Sequence, residues 1–261
     1  MSVNPKKHLG QHFLKDENIA RKIVETLSWK NYNRVLEIGP GTGVLTKYFI
    51  EQQKEISVVE IDAESVEYLK TNYPGLKIFE EDFLKMSLAK KLGSEPLCIL
   101  GNFPYNISSQ IVFKIIENRK QIPEMSGMFQ KEVAERICAR EGSKTYGILS
   151  VLTQAYYHTS YLFTVSENVF RPPPKVKSAV IRLERHTKEL AVNEELFFNI
   201  VKTGFNQRRK MLRNALKSFI GSQIDFEDNL LNLRAEQLTI NQFIELTAKL
   251  TEWKQSSTKN F

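Results

Sequence analysis

Val35-Leu36-Glu37-Ile38-Gly39-Pro40-Gly41-Thr42-Gly43-Val44-Leu45 runs from a short apolar segment, through three glycines, into a second apolar segment. The first part has the length and content of a buried strand, and the glycines permit a tight turn into a helix. Outward from this point the pattern alternates. Strands are expected over Val35–Ile38, Ile56–Ile61, Leu76–Phe79, Leu97–Gly101 and Ser126–Gln130. Helices are expected over Val44–Glu51, Ala63–Asn72, Ile107–Asn118 and from Lys131 to about Arg140. Upstream, Asp16 caps a helix whose apolar positions Ile19, Ile23, Val24 and Leu27 share one face. Short apolar strands alternating with helices predict an α/β fold with a parallel, doubly wound sheet.

Beyond this core, Tyr161–Val165 and Val176–Leu183 read as two strands of an antiparallel edge. After Arg185 the chain turns helical, with helices expected over Glu194–Gly204, Arg208–Ile220 and Asn241–Trp253. The boundary falls near residue 187, giving a 1–186 sheet domain and a 187–261 helical domain, with a polar, frayed tail from Gln255 to Phe261. A chain of 261 residues suits one large domain with a small appendage. The formal charge of +7 favours a polyanionic partner. Two cysteines, Cys98 and Cys138, argue against a disulfide framework and for a reducing compartment. The N-terminal segment lacks the apolar core of a secretory signal, and no run reaches the roughly 18 apolar residues of a membrane helix. A cytoplasmic protein without a membrane or metal site is expected.

The glycine turn follows the first strand of the alternating pattern, where such folds bind ligands. Glu60 ends the next strand, about 20 residues after Gly39, the spacing of a carboxylate that bridges ribose hydroxyls. Val44 replaces the last glycine of the dinucleotide fingerprint, and no Gly-Lys-Ser/Thr loop is present. Pro40 removes a backbone donor that a pyrophosphate could use. The turn therefore suits a nucleoside cofactor without a phosphate chain, and S-adenosyl-L-methionine fits. Asp82, after the third strand, can accept from the adenine amino group of that cofactor, with Phe83 beside the ring.

The strand Leu97–Gly101 stops at Asn102-Phe103-Pro104-Tyr105. An adenine amino group is a poor nucleophile because its lone pair is delocalised into the ring. Two acceptors on its hydrogens, the Asn102 side-chain oxygen and the Phe103 carbonyl, would draw that nitrogen toward tetrahedral geometry. Pro104 fixes the turn, and Tyr105 offers a face for stacking an unpaired or extruded base. Asn106 or Ser108 can cap the following helix, which leaves Asn102 free for this role.

Several further stretches complete a pattern: Leu9-Gly10-Gln11-His12-Phe13-Leu14, Gln130-Lys131-Glu132-Val133, Lys144-Thr145-Tyr146-Gly147, Phe170-Arg171-Pro172-Pro173-Pro174-Lys175-Val176-Lys177-Ser178-Ala179-Val180 and Phe205-Asn206-Gln207-Arg208-Arg209-Lys210. With the glycine turn and Asn102–Ser108, the chain resembles the KsgA-type ribosomal RNA small subunit adenine dimethyltransferases over nearly its whole length. That resemblance implies a Rossmann-like S-adenosylmethionine-dependent methyltransferase sheet of seven mostly parallel strands and a small all-α C-terminal domain. It implies N6,N6-dimethylation of two adjacent adenosines in the 3′-terminal hairpin of 16S rRNA, in the immature 30S subunit, by a monomer. By position, His12, Leu14, Gly39, Glu60, Asp82 and Asn102 would contact the cofactor or frame its methyl. The family commonly carries Asn where His12 stands.

RNA contacts are expected from Lys202, Arg208, Arg209, Lys210, Arg213 and Lys217, since Leu196–Ile224 has no carboxylate. On the expected helix, Arg209, Arg213 and Lys217 would share one face, with Met211, Leu212, Ala215, Leu216 and Phe219 toward the core. Lys6, Lys7 and Lys15 would add a second phosphate-contacting arm, and Phe170–Val176 would wall the base pocket. Two other readings remain open. One is a 23S rRNA adenine methyltransferase conferring antibiotic resistance, which shares the Asn-x-Pro-Tyr turn. The other is a non-catalytic RNA-binding assembly factor, against which Glu60, Asp82 and Asn102 argue.

Overall fold

The computed structural model describes residues 3–220 and 228–258. These comprise β1 (Phe13–Leu14), α1 (Glu17–Val24), β2 (Arg34–Ile38), α2 (Thr46–Glu51), β3 (Glu55–Glu60), α3 (Ala63–Asn72), β4 (Lys77–Glu80), α4 (Leu88–Leu92) and β5 (Cys98–Asn102). Then follow α5 (Ser108–Glu117), β6 (Glu124–Gln130), α6 (Lys131–Ile137), α7 (Ile148–Tyr156), β7 (Tyr157–Val165), β8 (Phe170–Arg171) and β9 (Ser178–Arg185). The C-terminal part holds α8 (Glu194–Asn206), α9 (Leu212–Ala215), α10 (Lys217–Ile220) and α11 (Ile240–Thr258). No described helix is long and apolar enough to cross a membrane.

The chain divides into two compact units. The first joins Met1–Glu135 to Tyr157–Arg185 and contains a seven-stranded sheet of order β4-β3-β2-β5-β6-β9-β7. Neighbours from β4 to β6 pair in parallel, whereas β9 runs antiparallel to both β6 and β7. The fold is therefore the expected mostly parallel Rossmann-like sheet with an antiparallel edge. Strands β2 and β5 are almost wholly buried, which explains their unbroken apolar character. Ala20, Ile23 and Val24 of α1 join Tyr48, Phe49, Val35, Cys98, Leu100 and Met128 in one core. The Asp16 carboxylate accepts from the Ile19 N–H at 3.0 Å and starts α1 as the sequence predicts.

Strand order reverses between β2 and β5: the chain builds outward through β3 and β4, then returns to add β5 and β6. The crevice beyond the carboxyl ends of β2 and β5 is thus a topological switch point. It places the glycine turn and the Asn102 turn side by side.

The second unit joins Arg136–Tyr156 to His186–Phe261. The segment 136–156, which the sequence reading assigned to the sheet domain, groups with the C-terminal helices. Its helix α7 was not anticipated; Tyr146 within the segment is buried and donates to the Leu238 carbonyl at 3.0 Å. The single helix expected over Arg208–Ile220 is also absent. Met211 leaves the helical path to bridge Arg234 antiparallel, and the Leu212 N–H donates to the Leu233 carbonyl at 2.8 Å. Only the short α9 and α10 follow, so Arg209 shares no helix face with Arg213 and Lys217. Leu212, Ala215 and Leu216 are buried as expected, but Met211 is 48% exposed. Helix α11 runs past Trp253 to Thr258, so Gln255 is helical, not frayed; residues 259–261 of the expected tail lie outside the described residues.

Candidate active site

A cleft of about 940 Å³, open to solvent on one side, lies at the switch point of the sheet unit. Gly39, Gly41, Glu60, Asp82, Asn102, Phe103, Pro104, Tyr105 and His12 all line it. The structure therefore gathers residues separated by some ninety positions in the chain. Leu14 is not among the lining residues: its side chain is buried in the core and β1 pairs with β8. The two-stranded β1–β8 ladder was not foreseen, because two residues are too few to show a period.

Gly39 and Gly41 adopt left-handed conformations with φ of +64° and +56°. A Cβ on Gly41 would also stand 2.7 Å from the Phe13 ring, so the N-terminal arm can close over this turn only if the position is bare. Glu60 is buried and locks the same turn. Its Oε2 accepts from the Gly41 N–H at 3.1 Å, and its Oε1 accepts from the Ile61 and Asp62 N–H groups at 2.9 Å each. Burial nevertheless raises its pKa, outweighing those three donors. A carboxylate at the strand end beside a glycine cradle, with Asp82 lining the same cleft, fits a nucleoside cofactor. Asp82 Oδ1 is held by the Leu84 N–H at 2.9 Å. Phe83 beside it is buried, with the Lys114 ammonium 5.1 Å above its ring.

Glu37, behind the turn, is fully buried and accepts from the Thr46 hydroxyl at 2.6 Å. Desolvation, opposed by Thr46 and reinforced by the charge of Glu60, pushes its pKa up to about 8. The unfolded chain ionises this group at ordinary carboxylate values, so the unfolded state holds fewer protons above that point. Stability should therefore fall as pH rises from about 4.5 and level off above about 8. Glu37→Gln should remove as much as about 4 kcal/mol of that decline between pH 5 and pH 9, measured by urea unfolding at both. Equal slopes in both proteins would contradict a neutral Glu37.

The Asn102 turn rests on close packing. Gly101 pairs with Gly127 across β5 and β6, and a Cβ on Gly101 would meet the Ile38 carbonyl at 2.7 Å and the Phe103 ring at 2.9 Å. The Phe103 ring is buried there, 4.7 Å from Phe129. Only its backbone is left for the site, as the expected carbonyl role requires. Neither Asn106 nor Ser108 caps α5 as expected: Ile107 holds the N-cap position without a side-chain bond. The Ser108 hydroxyl donates to the Pro104 carbonyl at 3.0 Å, so Asn102 is not drawn into the helix start. Instead the Asn102 Nδ2 donates to the His12 carbonyl at 2.9 Å. That bond fixes the amide and leaves Oδ1 as its acceptor.

His12 does more than the sequence suggested. Its ring stacks on Tyr105 with centroids 5.3 Å apart, and its Nδ1 lies 2.8 Å from the Pro172 carbonyl oxygen. The Tyr105 hydroxyl meets Ser178 Oγ at 2.5 Å, and burial raises the pKa of the phenol. The segment Phe170–Val176 contributes no lining residue; it acts through these contacts and through the buried Phe170. Several lining residues were not expected, Ile61 and Glu81 among them. Ile61 is apolar yet 54% exposed, and its place directly after Glu60 was the available signal. Glu81 also lines the cleft while paired with Lys91 at 3.0 Å.

A profile of the ribosomal RNA adenine dimethylases matches residues 2–252. The chain belongs to that family. It is 61% identical over 251 residues to the ribosomal RNA small subunit methyltransferase A of Flavobacterium johnsoniae, covering 95% of this chain and 96% of that relative. It is 55% identical over 260 residues to the protein of the same name from Bacteroides thetaiotaomicron, covering 98% and 97%. Among solved structures, a dimethyladenosine transferase from Plasmodium falciparum superposes with a TM-score of 0.76 at 25% identity, covering 94% of this chain and 98% of that one. The 23S rRNA methyltransferase ErmE shares the fold with a TM-score of 0.67 at 24% identity, covering 90% and 99%. This adenine dimethylase is accordingly an S-adenosyl-L-methionine-dependent rRNA methyltransferase.

Within the helical unit of the dimethylase, the expected RNA contacts separate into two kinds. Lys202, Arg209, Lys210, Arg213 and Lys217 are exposed, although Arg213 also donates to the Asn232 side-chain oxygen. Arg208 is already engaged, its Nε donating to Glu236 at 2.6 Å and its Nη2 to the Ser143 carbonyl at 3.3 Å. In the N-terminal arm, Lys6 is likewise engaged by Asp62 and Glu64. Hydrogen bonds from Lys6, Ser65 and Gln11 overcome burial and hold Asp62 below the usual carboxylate range.

Proposed function

We propose that this protein dimethylates N6 of two adjacent adenosines in the 3′-terminal hairpin of 16S rRNA, acting as a monomer on the immature 30S subunit in the cytoplasm. The observation that carries the chemistry is the Asn102 amide, oriented by the His12 carbonyl at the mouth of β5. The relatives named as small subunit methyltransferases support the RNA address.

S-Adenosylmethionine supplies a methyl group already activated by its sulfonium. Gly39, Glu60 and Asp82 hold the cofactor: Glu60 takes the ribose hydroxyls and Asp82 the adenine amino group. Asn102 Oδ1 and the Phe103 carbonyl accept the two hydrogens of the target amine and point its lone pair at the methyl. Asn suits this better than Asp, because the cationic product nitrogen must lose its proton and leave. Positioning supplies most of the acceleration. Tyr105 bears on the base, and its face toward His12 is occupied by the imidazole. Lys202, Arg209, Lys210, Arg213 and Lys217 contact RNA phosphates from the 187–261 helical region, and Arg208 braces that surface through Glu236.

Purified protein incubated with labelled cofactor and either immature 30S or 50S particles tests the address. Two methyls on each of two neighbouring 16S adenosines are expected. Incorporation into the large-subunit RNA alone would overturn the assignment, and incorporation into neither would favour a non-catalytic factor.

A further inference from the structure

The sheet unit carries a second cationic surface, distinct from the basic residues of the helical unit. Residues 168–183 contain no carboxylate, and between Pro172 and Lys177 they form a strap stiffened by Pro172, Pro173 and Pro174. Both ends of the strap are tied to His12 and Tyr105 at the cleft. At one end the Pro172 carbonyl meets His12 Nδ1 at 2.8 Å; at the other Ser178 Oγ meets the Tyr105 hydroxyl at 2.5 Å. The Lys131 N–H donates to the Lys177 carbonyl at 2.9 Å and pins the strap to the end of β6.

Arg171, Lys175 and Lys177 are exposed along this strap, and none makes an ion pair among the described residues. Val176 between the two lysines is 46% exposed. Strand β1 lies against β8, with Phe13 opposite Arg171, and the Lys15 N–H donates to the Val169 carbonyl at 2.9 Å. Lys15, also exposed, therefore joins the same patch. The carboxylates that follow Lys15 are committed elsewhere: Asp16 caps α1, and Glu17 pairs with Lys47 at 2.6 Å. The β1–β8 ladder brings Lys15 beside the strand that carries Arg171, and Lys175 and Lys177 follow on the same strap. Like charges on one surface repel unless a polyanion neutralises them.

We infer that Lys15, Arg171, Lys175 and Lys177 form a phosphate-binding strap that takes the RNA backbone of nucleotides flanking the target adenosine, with Val176 against a sugar or base. The inference rests on the reading of the protein as an RNA methyltransferase. Its prolines matter here: a rigid strap loses little conformational freedom when RNA binds. Because the strap is anchored on Tyr105 and His12, gripping the backbone here also sets where the extruded base stands.

The test is RNA affinity as a function of salt, for wild type, Lys175→Gln/Lys177→Gln and Lys175→Glu/Lys177→Glu, with a 3′-terminal 16S fragment as probe. Loss of two phosphate contacts should reduce the slope of log K against log salt by about 1.4 in the glutamine variant. Affinity near physiological salt should fall about tenfold or more, further in the glutamate variant. Affinity for S-adenosylmethionine should stay unchanged, which also certifies folding. An unchanged slope in both variants overturns the strap. If instead the wild type neither binds nor methylates ribosomal RNA, the underlying functional reading fails first, which is a separable result.

Discussion

Asn102→Ala should lower methyl transfer by about 10²–10³-fold while RNA affinity persists, a loss of the size seen when one preorganised hydrogen-bonding group is removed from a reacting centre. The alanine removes Oδ1, the acceptor expected to draw on the target amine. It also leaves the His12 carbonyl without its donor, since the Asn102 Nδ2 is bound there at 2.9 Å. Asn102→Asp separates these effects. A carboxylate still accepts, but it has no N–H for His12 and sets oxygen against oxygen across that contact. Aspartate should therefore also be impaired, with the His12 carbonyl pushed away and the cationic product held too strongly. Single-turnover methylation of 30S particles, with filter binding of the same RNA, measures both quantities. A normal rate for the alanine protein would remove Asn102 from the chemistry.

Glu60→Ala should raise the dissociation constant for S-adenosylmethionine by about 10–100-fold, the worth of one hydrogen-bonded charge. The substitution does two things at once. It removes the acceptor for the ribose hydroxyls, and it releases the Gly41, Ile61 and Asp62 N–H groups. Thermal unfolding should accordingly show a loss of stability, since each buried donor left unpaired costs about 1–3 kcal/mol. Because burial raises the Glu60 pKa, acidification should weaken wild-type cofactor binding at a higher pH than an ordinary carboxylate would allow. The alanine protein should lose that pH dependence. Calorimetric titration across pH 5 to 8 checks this; unaltered affinity in a folded variant would refute the role assigned to Glu60.

Much of the sheet unit was legible because its signals are local. Asp16 announces α1, Ala63–Asn72 is helical over the predicted span, and Glu60 ends β3 as its spacing from the glycine turn requires. Other elements were hidden for physical reasons. The basic stretch after Gln207 carries helical spacing, but the pairing of Met211 with Arg234 breaks it, and no window on Arg208–Ile220 contains Arg234. Arg208 reads as a free cation until Glu236 is placed beside it. Helix α7 lies in the segment 136–156, whose grouping with the second unit depends on partners such as Leu238.

The order of residues alone determined that strands and helices alternate, that a glycine turn precedes a paired carboxylate, and that an amide ends a buried strand. These follow from periodicity, capping and backbone freedom, which act over a few residues. Tertiary structure decided which way the Asn102 amide faces, because its partner is the carbonyl of His12, ninety residues earlier. It decided that His12 stacks on Tyr105 and that a proline strap is tied to the same two residues. Those contacts depend on strand order and on the β1–β8 ladder, and long-range pairing leaves no mark on a local stretch of sequence.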